Sequence, residues 1–160
     1  MCFGAFLVFH NIEETLSFFG RDSSLTGRDK LWQALWMQIQ THLFLGFGYQ
    51  AFWLDETGAV AVVWNYLGWK MSAAHNGYLE LWLDLGIVGL MLYVVVFSTT
   101  LIKAVSLAIQ ESSWPFIFFS FFFLLNFSES RILEQNSLYW VLFVAISGQL
   151  HKKAALSQTN

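Results

Sequence analysis

Histidine and arginine are the side chains best suited to moving a proton and to holding a phosphate, and this sequence sets one of each beside an apolar segment. His75 stands in AAHNGYLELWLDLG, directly before Asn76 and Gly77. A neutral imidazole accepts a proton near neutral pH, so His75 is either a general base or ligand, or a plain interfacial histidine. Asn76 is shaped to cap a helix that starts at Gly77. Glu80 and Asp84 follow four apart on one face of that helix, where acids favour the helix dipole. With His75 they make at most a weak metal site, because one imidazole and two carboxylates without a recognised spacing recur by chance, and no metal is expected. Arg28, in LTGRDKLW, sits at a helix start, where its charge opposes the dipole and asks for a partner. That partner is either Asp22 or Asp29 in a salt bridge, or a phosphate gripped by both prongs of the guanidinium. The third polar cluster, NFSESRILEQNS at 126–137, offers Glu129 and Arg131, which either pair with each other or face a substrate. The single cysteine, Cys2, supplies neither an internal disulfide nor a zinc site.

The elements that position these residues belong to a membrane. Of the 160 residues 56% are hydrophobic and 12% charged, whereas a soluble domain carries roughly 25% charged residues. The 17 Phe, 8 Trp and 5 Tyr fit a chain that meets both lipid and its interface. A net charge of −3 without a basic run excludes nucleic acid as a partner. The expected fold is all-α, a polytopic membrane helix bundle with a large external loop. Residues 1–10 read as the stump of an upstream membrane helix. Residues 11–76 form the external loop, with an amphipathic helix over about 29–45, where Leu31, Leu35, Ile39 and Leu43 recur four apart. Within 49–69 the alternation of Val60, Val62 and Trp64 suits a short strand or an ordered loop. Three transmembrane helices fill 77–150: about 80–103; 114–127, opened by Pro115; and 133–150, which borrows a turn from Ile132 and Leu133. Lys103 and the tail at 151–160, with His151, Lys152 and Lys153, mark the cytoplasmic side. The loop at 11–76 and the cluster at 126–137 then face the opposite side together. Tyr49, Phe52, Trp53, Trp64, Tyr66 and Trp69 make the 49–69 stretch strongly aromatic.

In the order LTGR-DKLW, LGFGYQAFW, AHNGYLELWLDLGIVGL and NFSES-RILEQNSLYWVLFV, the chain resembles the C-terminal half of the O-antigen ligase and polymerase family, and more closely its exopolysaccharide production branch. The resemblance runs from about Ser23 to Leu150. It implies an inner-membrane glycosyltransferase, active on the periplasmic side, that moves a glycan from an undecaprenyl pyrophosphate carrier to a lipid A core or polysaccharide acceptor. It further implies Arg28 as the pyrophosphate contact and His75 as the base, both catalytic. Arg28, Asn76, Glu129 and Arg131 form the substrate-binding set, with no cofactor. Family members are more than twice as long, so a missing N-terminal half is an expected partner. The rival expectations are an inactive fragment and a non-enzymatic transport protein, the latter marked by ionisable groups at span midpoints.

Overall fold

The computed structural model describes residues 24–110 and 112–157, and among these every regular element is a helix. The stump expected over residues 1–10 lies outside them, as does Asp22. The helices are α1 (Ser24–Thr41), α2 (Ala59–Leu67), α3 (Gly77–Gln110), α4 (Trp114–Leu125) and α5 (Leu138–Ser157).

α1 begins and ends earlier than the amphipathic helix expected at 29–45. Its buried stripe is Leu31, Ala34, Leu35 and Ile39, whereas Leu43 and Phe44 lie beyond its end and are exposed. The stretch read as strand or loop contains a helix instead, α2. Val60, Val63 and Leu67 are spaced three and four apart and all buried, so packing selects the helical period over the alternation of Val60, Val62 and Trp64. These side chains join Phe52, Ala74 and Leu83 in one core beneath α1. A second core packs Tyr93 and Phe97 of α3 against Phe118, Phe119 and Phe122 of α4 and Phe143 of α5. Phe143 lies nearly parallel to Trp140, with centroids 4.9 Å apart, and meets Phe119 edge-on at 5.5 Å. α3 contributes to both cores.

Among the described residues one helix, Gly77–Ile109, is long and apolar enough to cross a membrane, and Trp114–Leu125 is a shorter apolar helix. Only 17% of the most apolar stretch of α3 is buried. The core helix of a soluble protein would hide most of that surface, whereas Met91, Leu92, Val95 and Ile102 all face outward here. α5 does not start in the turn expected from Ile132 and Leu133. Leu133 and Asn136 adopt positive φ (57° and 58°), which stops a helix there, and α5 runs on through Lys153 to Ser157.

α3 is broken once. Gly86 has φ 66° and ψ −169°, a conformation open essentially to glycine alone. The break frees backbone groups, and the chain after α1 supplies their partners. Ile87 N donates to Leu43 O (2.9 Å) and Val88 N to Phe44 O (3.3 Å), while Leu83 O and Asp84 O accept from Phe47 N (2.7 Å) and Gly48 N (3.0 Å). The approach is so close that a Cβ on Gly46 would lie 2.5 Å from Leu83 O.

Candidate functional site

The turn from Ala74 to Gly77 joins α2 to α3, and hydrogen bonds from four residues hold it. Trp32 Nε1 of α1 donates to Ala74 O (2.9 Å), and Ala74 N donates to Glu80 Oε2 (2.6 Å). Asn76 N donates to Ser130 Oγ (3.2 Å), and Gly77 N to Asn126 O (2.8 Å). Between these anchors His75 has φ 51°, a left-handed conformation that a non-glycine residue keeps only when its surroundings enforce it. Half-buried, its imidazole therefore projects from an over-determined backbone.

Asn76 is the N-cap its type suggests: Oδ1 accepts from Tyr78 N (3.0 Å) and Leu79 N (3.1 Å). Glu80 goes beyond a dipole acid. Its carboxylate accepts from Trp53 Nε1, from Ala74 N and from Ser130 Oγ (3.2 Å). One side chain of α3 thus ties the 49–54 turn, the His75 turn and the 126–137 loop together. A glutamate at the third helical position bonds back to its own cap; one position later, Glu80 reaches the amide two residues before the cap. Type and spacing alone gave no signal of its distant partners Trp53 and Ser130.

Arg28 lies in the second turn of α1 rather than before it, half-buried. It forms no ion pair among the described residues, so Asp29 is not its partner. Arg28 and His75 meet across one cavity of about 210 Å³, whose walls include Leu31, Trp69 and Met71. Among the described residues, a cation without an ion-pair partner thus faces an imidazole in a space large enough for a phosphate group.

Glu129 and Arg131 pair, as one of the two expected alternatives has it: Arg131 Nη2 lies 3.2 Å from Glu129 Oε2. The stronger partner is Glu134, which takes Arg131 Nη1 on both oxygens at 2.8 and 2.9 Å and raises the guanidinium pKa above its ordinary value. The Arg131 amide donates to Asn126 Oδ1 (2.9 Å), and Asn126 is fully buried. Neither Glu129 nor Arg131 lines the Arg28–His75 cavity; their loop touches the His75 turn through Ser130, whose oxygen accepts from Asn76 N. Among the described residues no group of three His, Cys, Asp or Glu is placed to hold a metal, so His75, Glu80 and Asp84 do not converge as ligands.

At the other end of α3, Lys103 Nζ donates to His151 Nδ1 (2.6 Å) and His151 Nε2 lies 3.3 Å from Thr100 Oγ1. Between Asp84 and Lys103 α3 carries no charged residue. Its charged groups sit at the ends of the apolar run, not at its middle.

A family model described as O-antigen ligase matches residues 1–94. The exopolysaccharide production protein ExoQ of Rhizobium meliloti (strain 1021) is 30% identical over 107 residues, or 65% of this chain and 25% of that protein. The match thus spans a quarter of the relative's length. No solved structure matches the chain.

Proposed function

Since this chain belongs to the O-antigen ligase family, we propose that it carries the reaction centre of a membrane glycosyltransferase of surface polysaccharide biosynthesis. The donor is a glycan on undecaprenyl pyrophosphate, and the acceptor is a lipid A core sugar or another polysaccharide. The protein sits in the inner membrane as a polytopic helix bundle, with the Arg28–His75 cavity on the periplasmic side.

The observation that carries this proposal is the convergence of Arg28 and His75, 47 positions apart in the sequence, on one cavity at the N-terminal end of the apolar helix. In the transfer, the acceptor oxygen attacks the anomeric carbon as the bond from that carbon to the pyrophosphate oxygen breaks. His75 takes the hydroxyl proton. Arg28 holds the departing pyrophosphate with fixed charge and two parallel hydrogen bonds. The strained, four-way-anchored backbone at His75 contributes by fixing the imidazole before substrate arrives. Asn76 shapes that turn. Glu129 and Arg131 border it as the outer part of the substrate-binding set, where a sugar hydroxyl would exchange with the existing ion pair. Ionisable groups at the ends of the apolar run favour this proposal over a transport path.

The test is glycan transfer in membranes supplied with carrier-linked glycan. General base catalysis contributes roughly 10²- to 10⁴-fold, and His75→Ala should lose about that much while protein level and donor binding hold. His75→Gln should be nearly as poor, since an amide accepts no proton at neutral pH. A His75→Gln protein that keeps most of its rate would remove His75 as the base.

A further inference from the structure

Trp69 lines two cavities. One holds Arg28 and His75; the other is a larger cleft of about 400 Å³, lined by Glu56, Trp64, Asn65, Trp69 and Lys70. The cleft is formed by the way α2 ends. Gly68 closes the helix at φ 83°, with its N–H on Trp64 O (2.8 Å), and the chain doubles back so that Trp69 and Lys70 lie beside α2. Trp64 Nε1 donates to Met71 O (2.8 Å), which fixes that ring. Lys70 Nζ lies 4.7 Å above the Trp64 ring and 2.6 Å from Glu56 Oε2. Trp69, by contrast, is 48% exposed.

The two cavities differ in the charge they offer. Among the described residues Arg28 has no carboxylate against it, which suits a phosphate. In the cleft the cation already has its anion, so the lining presents paired charge, the Asn65 amide and an open indole face. That combination suits an uncharged polyol with one apolar face, and a pyranose ring is such a molecule: its C–H face lies on the indole while its hydroxyls exchange hydrogen bonds with carboxylate, amide and ammonium. Elsewhere on this molecule exposed side chains are purely apolar, as at Phe44, Leu45 and Leu54, exposed at 68, 74 and 79%.

We propose that this cleft is a saccharide subsite, holding a pyranose of the glycan next to the sugar that reacts at His75, with Trp69 as its platform. The proposal rests on the transferase reading for its place in a reaction, but its binding test does not. The full chain in lipid nanodiscs is titrated with maltotetraose, cellotetraose and laminaritetraose, and saturation transfer from protein to pyranose protons is recorded by NMR. Transfer to at least one of the three is expected. Trp69→Ala should weaken that binding about tenfold, the scale of one good aromatic contact, and Asn65→Ala should weaken it as well. Both side chains are exposed, so the fold does not depend on them. Absence of transfer to all three sugars, or binding indifferent to both Trp69→Ala and Asn65→Ala, would overturn the subsite. So would quenching by brominated lipid chains that disappears in Trp69→Phe, since it would put this indole in the bilayer. If the protein transfers no glycan while Trp69→Ala still weakens sugar binding, the transferase reading falls and the subsite stands.

Discussion

Glu80→Gln changes one atom type at the point where three segments meet. Trp53 Nε1, Ala74 N and Ser130 Oγ all donate to the Glu80 carboxylate. A glutamine keeps one acceptor oxygen. Turned toward Ala74 and Ser130, it sets its amide hydrogens against the Trp53 N–H; turned the other way, it sets them against the Ala74 N–H. Either choice leaves a partly buried donor unsatisfied, which costs roughly 1–3 kcal/mol. A loss of about 2 kcal/mol lowers the Tm of a chain this size by about 4–8 °C, readable by thermal unfolding of the purified protein in detergent. The effect on transfer should be larger than on folding. The Ala74 amide is one of the anchors of the left-handed His75 turn, and a displacement near 1 Å at a reacting group costs about 10²-fold. Glu80→Asp, which keeps the charge on a shorter stem, should recover part of the transfer rate. If Glu80→Gln melts with the wild type and transfers at the wild-type rate, the carboxylate does not organise the site.

Three further outcomes are expected. Arg28→Ala should abolish transfer and Arg28→Lys should recover little of it, because a point charge cannot reproduce a two-pronged phosphate contact; equal rates for Lys and Arg would refute the bidentate geometry. Gly86→Ala places a Cβ 2.2 Å from Phe44 O in a conformation closed to L side chains. It should cost about 3 kcal/mol, the sum of backbone strain and overpacking, seen as a lower Tm or a lower yield of folded protein. Cysteine labelling from either side of the membrane should find positions after Lys103 and after Lys153 cytoplasmic and a position after Trp69 periplasmic; a periplasmic tail would invert the proposed topology.

Local interactions were legible in the sequence, and distant ones were not. Asn76 announced itself as a cap because its partners, Tyr78 N and Leu79 N, are two and three residues away. Pro115 marked the start of α4 because only the first turn of a helix tolerates it. The stripe of Leu31, Leu35 and Ile39 specified a buried helix face, but nothing in it fixed the helix end at Thr41, which depends on where the following chain docks on α3. α2 was hidden because three alternating apolar residues mimic a strand, and only the burial of Val63 and Leu67 decides the period. The same divide runs through the site. Arg28 and His75 drew attention by type, while Glu80 passed for a dipole acid because its partners Trp53 and Ser130 lie 27 and 50 residues away. Glu134, three residues after Arg131, was within reach of a spacing rule and was passed over for Glu129.

The break at Gly86 bears on the order of assembly. A helix that crosses a bilayer ordinarily arrives self-sufficient, with every amide bonded within its own segment. α3 does not. Ile87 and Val88 lack their carbonyls, and Leu83 and Asp84 their amides, until the residues from Leu43 to Gly48 lie against them. In hydrocarbon each such vacancy costs several kcal/mol. The patch precedes the span in the chain, so it is already synthesised when the span emerges and can seal it at once. In the proposed topology, insertion of α3 and docking of residues 43–48 thereby become one event, and α1 and α2 cannot lift away later without reopening four backbone bonds.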